Sequence, residues 1–253
     1  MTNTDEMTSP KKRVAIVISN PATSTVTQWP VGFWWSEVSH PYFEFTDNGY
    51  EVEFFSPEGG KVEADSLSDP TDKSGYSAAD EVSLKFINSS ELMALLENTK
   101  PVSSIDTNAF DAILVAGGQS PMFSFAQATS LHRKFVEFYE KQKITAALCH
   151  GVAVLKYARL SNGEMLVKGK KVTGFTNEEE SHSDAAVWEM GALPKGVSLM
   201  PWRIEDDLSL LGAEFVKADP WNSHAVKDGN LITGQQNMSG LQTAQLIIES
   251  LEK

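Results

Sequence analysis

The residues best placed to do chemistry lie in one short segment, Ala146-Ala147-Leu148-Cys149-His150-Gly151-Val152-Ala153-Val154-Leu155. Cys149 is the only cysteine in the chain. An apolar strand that runs into a lone thiol, then a glycine, then an apolar helix has the form of a nucleophile elbow. Such a turn lifts the nucleophile above the carboxyl ends of a parallel sheet, and the glycine lets strand and helix approach closely. It also aims the first helical amides at the sulfur, which favours thiolate over thiol. Open α/β sheets take their ligands at this edge. His150 follows directly, and from such a turn its imidazole can meet a carboxylate that orients it. The competing reading is a cysteine buried as a small hydrophobe beside a capping histidine. Placement of the only cysteine at the elbow favours chemistry.

The surrounding pattern supplies elements able to hold that turn. Val14–Ser19, Glu51–Ser56, Ala112–Ala116 and Ile144–Leu148 are short runs rich in β-branched and apolar residues. Runs of this length suit parallel strands covered on both faces. Segments of helical spacing separate them: Phe33–Phe45, which Pro41 should kink or end, Ser90–Asn98 with a serine cap, and Leu131–Gln142. The alternation predicts an α/β fold, a mostly parallel sheet with helices on both faces. Residues 59–79 read as an ordered surface excursion, long enough to be functional. Farther on come a short strand at Lys171–Phe175 and a helix over Glu205–Leu211. Asp228-Gly229 then marks a hairpin turn, and Ser239 caps a final amphipathic helix. The expected organisation is a disordered lead over residues 1–10 and a single domain over 11–253.

Composition narrows the function classes. A formal net charge of −13 argues against a general binder of nucleic-acid backbones. No apolar run has transmembrane length, and no secretory signal opens the chain. A single cysteine cannot form an intramolecular disulfide, so the expected compartment is the cytoplasm. His40, His132 and His224 show no metal-ligand spacing, and neither a metal nor a cofactor is expected.

Several motifs in order give the chain a family resemblance. They are Gly32–Phe45 (GFWWSEVSHPYFEF), Gly49–Gly59, Leu67–Pro70, the Gly117-Gly118 turn, Cys149-His150-Gly151, Val172–Thr176, Glu180 and His224–Gln235. The chain resembles the ThiJ/PfpI superfamily of class I glutamine amidotransferase-like proteins, in the branch of heat-shock chaperones and glutathione-independent glyoxalases. That resemblance implies a flavodoxin-like three-layer sandwich and a homodimer. It also implies site roles: Cys149 as nucleophile, His150 as its catalytic neighbour, Glu37 as a buried acid near the sulfur, and Glu180 as the carboxylate orienting His150. Asp184 is the fallback for Glu180, because Glu178-Glu179-Glu180 can also be an exposed acidic loop; His182 is either a surface residue or part of the pocket wall. The Gly117-Gly118 turn is similar to the family's oxyanion loop, where the N–H groups of Gly118 and His150 hold a developing oxyanion. Here the chain departs from the branch, carrying Gln119-Ser120-Pro121 where His-Gly is usual. Gln119 thus changes the polar group over the pocket. Trp34, Trp35, Phe123, Trp188 and Trp221 are candidate pocket walls.

The expected activity is conversion of a small 2-oxoaldehyde to a 2-hydroxy acid through a Cys149 thiohemiacetal, as in methylglyoxal to lactate, without glutathione. One alternative is deglycase- or amidase-like hydrolysis on the same cysteine. Another, of a different class, is a holdase chaperone or cysteine redox sensor, for which the Trp-rich Gly32–Phe45 stretch is the candidate exposed apolar surface.

Overall fold

The computed structural model describes residues 11–252, so the expected lead over residues 1–10 lies outside the described residues. The β-branched runs form the centre of a seven-stranded sheet. Its strands are β1 (Arg13–Val17), β2 (Glu51–Ser56), β3 (Lys100–Pro101), β4 (Ala112–Val115), β5 (Ile144–Leu148), β6 (Ala225–Asp228) and β7 (Leu231–Gly234). They lie in the order β6-β7-β5-β4-β1-β2-β3, and only the β6–β7 hairpin is antiparallel. β4 and β5 are buried along their whole length, as strands covered on both faces must be.

The chain leaves β1 toward β2 and leaves β4 toward β5, opposite directions across the sheet. Right-handed crossovers therefore place the intervening helices on opposite faces. Helix Trp35–Asp47 covers one face with Gly240–Leu251, while Thr129–Glu140 packs over β4 and β5. This is the expected three-layer α/β sandwich. The strand order reverses between β1 and β4, and there the carboxyl ends leave a crevice. No helix among the described residues is long and apolar enough to cross a membrane.

Several local expectations are corrected. Pro41 neither ends nor breaks its helix, which continues to Asp47. The ring is buried against the final helix, where a Cβ at Gly240 would sit 3.4 Å from Pro41 Cδ, and this packing offsets the lost N–H donor. The segment after the elbow, Cys149–Lys156, winds as a 3₁₀ helix rather than an α-helix. Glu178-Glu179-Glu180 is not a loop: it forms the first turn of helix Asn177–Glu189. Thr176 and Glu179 close that turn with a reciprocal capping box, which satisfies amides that would otherwise lack acceptors. Ser239 stands at the head of the last helix, but its hydroxyl accepts from the His224 amide at 3.1 Å instead of capping. In the Gly32–Phe45 stretch Phe33, Trp35, Val38 and Phe45 are buried, whereas Trp34, Tyr42 and Phe43 are half-buried.

Candidate active site

The site assembles where β1, β4 and β5 end. Leaving β5, the backbone turns at Cys149 with φ of 56°, a left-handed conformation that costs a non-glycine residue about 1–3 kcal/mol. Packing enforces the turn. A Cβ at Gly151 would lie 2.5 Å from the Val115 carbonyl oxygen and 2.7 Å from that of Ala116, so only glycine lets the new helix start so close to β4.

His150 Nδ1 faces the Cys149 sulfur at 3.9 Å, and Nε2 lies 2.9 Å from Glu180 Oε1. Both residues of this contact are buried, and the ring rests on Phe175 with centroids 4.3 Å apart. With Glu180 accepting from Nε2–H, the Nδ1 lone pair is left for the thiol proton. The phase along helix Asn177–Glu189 decides which acid does this. Glu179 points elsewhere, accepting from the Trp221 amide at 3.0 Å and Gln235 Nε2 at 2.9 Å. The fallback Asp184 is engaged by Arg203 at 2.9 Å and the Leu199 amide at 2.6 Å. His182 is exposed on the cavity wall, stacked against Trp221.

Glu37 is fully buried in the first turn of the helix Trp35–Asp47 that follows β1. Its Oε2 accepts from the Gly117 amide at 2.7 Å, while Oε1 has no nitrogen or oxygen partner. Burial pushes this carboxyl up to about 8, against smaller opposing effects from its hydrogen bonds to Cys149 and Gly117. The group is therefore protonated at neutral pH, and with Oε2 accepting, the proton belongs on Oε1. Burial also raises the Cys149 thiol, and the charge of an ionised Glu37 raises it further, while the His150 amide works in the opposite direction. The expected helix-terminus effect thus does not dominate at the sulfur. A neutral Glu37 removes the like-charge repulsion and can donate to the thiolate, so the pair shares one negative charge.

Cys149, His150, Glu37, Glu180, Gly118 and Gln119 line one cavity of about 340 Å³. Gly117 stands behind it with its amide spent on Glu37. Polar groups gather at the floor, whereas Leu67, Tyr76, Met190 and Trp221 form an apolar mouth. Of the aromatic candidates, Trp34 and Trp221 line the cavity. Trp35 instead packs in the core between Phe33 and Phe86, Trp188 binds the Val197 carbonyl through Nε1, and Phe123 packs against the core. Among the described residues, no group of His, Cys, Asp and Glu is disposed to hold a metal ion.

Sequence reasoning misses two acids here. Asp65, in the 59–79 excursion, is buried and accepts from the amides of Gly32 and Gln119 at 2.9 and 2.7 Å. Its setting in an Asp-, Ser- and Gly-rich segment masks it. Glu179 could have been found from the capping-box spacing of Thr176 and Glu179.

The chain as a whole has known relatives. A family model described as ThiJ/PfpI family-like matches residues 30–189. Glutathione-independent glyoxalase hsp3101 of Schizosaccharomyces pombe is 31% identical over 227 residues, covering 86% of each chain. Glyoxalase 3 of Candida albicans is 29% identical over 218 residues, covering 85% of this chain and 88% of that one. The crystal structure of glyoxalase III from Candida albicans superposes with a TM-score of 0.77 at 25% identity, covering 94% of this chain and 97% of the other. Rapid Encystment Protein 24 KDa of Francisella tularensis superposes with a TM-score of 0.82 at 28% identity, over 95% and 99% of the two chains.

Proposed function

The chain belongs to the ThiJ/PfpI family, and from that premise we propose that it is a glutathione-independent glyoxalase acting on neutral 2-oxoaldehydes. The observation that carries this reading is the convergence of Cys149, His150 and a neutral Glu37 on the floor of one cavity. Relatives named as glutathione-independent glyoxalases over most of the chain support it.

The arrangement accounts for each step. His150 Nδ1 accepts the thiol proton, and the sulfur adds to the aldehyde carbon as the carbonyl electrons move to oxygen. The Gly118 amide and the Glu37 acid meet that oxygen, giving a thiohemiacetal. A base, Glu37 once ionised or His150, removes the proton from the former aldehyde carbon to give an enediolate. Returning a proton to the adjacent carbon yields a thioester of the 2-hydroxy acid. Water then hydrolyses the thioester, releasing the acid and restoring the thiol. Glu180 holds the imidazole through both proton transfers.

The apolar mouth and the absence of any Lys or Arg among the cavity-lining residues favour an uncharged substrate. A cytoplasmic site of action fits an acidic chain with one free thiol.

Turnover of methylglyoxal in deuterated water tests the isomerase route. Proton transfer between carbons through a solvent-exchanging base places deuterium at C2 of lactate. Hydrolysis of a glycated amine or thiol with no lactate formed from free methylglyoxal would favour the deglycase-like route instead.

A further inference from the structure

The turn after β4 presents four consecutive backbone amides, and three of them are already spent. The Gly117 amide donates to Glu37 Oε2 at 2.7 Å, that of Gln119 to Asp65 Oδ2 at 2.7 Å, and that of Ser120 to the Gly32 carbonyl at 3.0 Å. Among the described residues, the Gly118 amide donates to no carbonyl or side chain, and Gly118 lines the cavity. The second oxygen of Asp65 accepts from Gly32 at 2.9 Å, so one carboxyl ties the turn to the segment that crosses it. That crossing is tight: a Cβ at Gly118 would lie 2.4 Å from the Gly32 carbonyl oxygen.

We propose that Asp65 is a positioning residue that clamps the Gly118-Gln119 turn against Gly32, so that the one unspent amide, Gly118, is presented to the substrate oxygen. The proposal rests on the glyoxalase reading for its kinetic consequence, and its structural content is independent of that reading. Two convergent N–H groups in this buried setting are each met by a separate oxygen of the one carboxyl. Among the described residues Asp65 forms no ion pair, and burial, opposed by its two amide contacts and by the nearby His150, pushes its carboxyl up to about 7. Retaining so poorly solvated an acid has a cost that apolar packing alone would avoid. The excursion over residues 59–79 is thereby a working part of the site: it places Asp65 at the turn and Leu67 and Tyr76 at the cavity mouth.

The substitution Asp65→Asn keeps the shape and one acceptor but turns an NH₂ group toward one of the two amides. In the intact variant, kcat for methylglyoxal should fall roughly 100-fold, as for a misplaced oxyanion donor, with KM within about threefold of wild type. Alkylation of Cys149 by iodoacetamide, which displaces iodide and builds no charge on a carbonyl oxygen, should proceed at the wild-type rate. Hydrogen exchange read by NMR at the Gln119 or Gly32 amide should accelerate whether or not methylglyoxal is the substrate. Unchanged exchange at both amides, or an unchanged kcat in the variant where wild type does make lactate, would overturn the proposal. Equal losses of alkylation and turnover would also overturn it, by assigning Asp65 a general structural role. A wild type that makes no lactate would sink the glyoxalase reading, while amide exchange would still decide the clamp.

Discussion

Glu180 Oε1 holds His150 Nε2 at 2.9 Å, and the opposite nitrogen of that ring faces the Cys149 sulfur at 3.9 Å. One buried acid therefore sets both the tautomer and the direction of the imidazole. A Glu180→Gln variant can satisfy Nε2 equally well as donor or acceptor, so the tautomer is no longer fixed. Its kcat should fall roughly 10²–10⁴-fold, the span of a general-base contribution, with the fold intact by circular dichroism. A loss below about twofold would remove Glu180 from the mechanism.

The neutral state of Glu37 has a signature in pH. Its carboxyl, raised from 4.5 to about 8, must be protonated to donate, so activity should decline as pH rises through 8. In Glu37→Gln the remaining activity, reduced roughly 100-fold, should lose that limb. Stability obeys the same linkage with a defined sign. Because the folded state holds this proton more tightly than the unfolded chain, wild type loses stability as pH rises from 4.5 to 8. The Glu37→Gln variant should therefore gain on wild type across that window in calorimetry. A difference independent of pH would contradict a neutral buried Glu37.

Close packing at the elbow predicts a cost that has nothing to do with chemistry. Gly151→Ala would place its Cβ 2.5 Å from the Val115 carbonyl, against backbone that cannot rotate away. The expected loss is roughly 1–3 kcal/mol, a fall in Tm of about 2–4 °C for each kcal/mol. Wild-type stability in this variant would mean that β4 and the elbow are not in such close contact.

The apolar mouth predicts substrate size preference. Methylglyoxal occupies a small part of a cavity of about 340 Å³, whereas an aryl 2-oxoaldehyde can reach Leu67, Tyr76 and Trp221. Trp221→Ala should raise KM for phenylglyoxal roughly 10-fold and leave that for methylglyoxal within about twofold. Steady-state assays with both aldehydes check this, and equal effects on the two would place Trp221 outside the binding surface.

Much of this arrangement is legible in the chain itself. Short buried strands announce the parallel sheet, and Cys149 before Gly151 announces the turn after β5, because few residue orders can pass from a covered strand to a helix in so little space. Long-range partners are less legible. Asp65 reads as one more polar residue in a loop, since its acceptors' role depends on amides 33 and 54 positions away in sequence. The phase of Glu178-Glu179-Glu180 is fixed by a capping box that gives Glu179 to the helix start and leaves Glu180 facing His150. Aromatic residues are least legible, because Trp34 and Trp35 are neighbours in sequence yet one lines the cavity and the other fills the core. The 3₁₀ winding after Cys149 runs through Gly151, which lies against the end of β4, a contact that the local apolar pattern does not announce.

In this mechanism the Cys149 sulfur carries the substrate between aldehyde and acid. Wild type and Cys149→Ala, incubated with methylglyoxal in the absence of glutathione and followed by NMR, test it most directly. Lactate should form with wild type only, at a rate proportional to enzyme. Equal lactate from the alanine variant, or none from wild type while its thiol remains reduced, would contradict it.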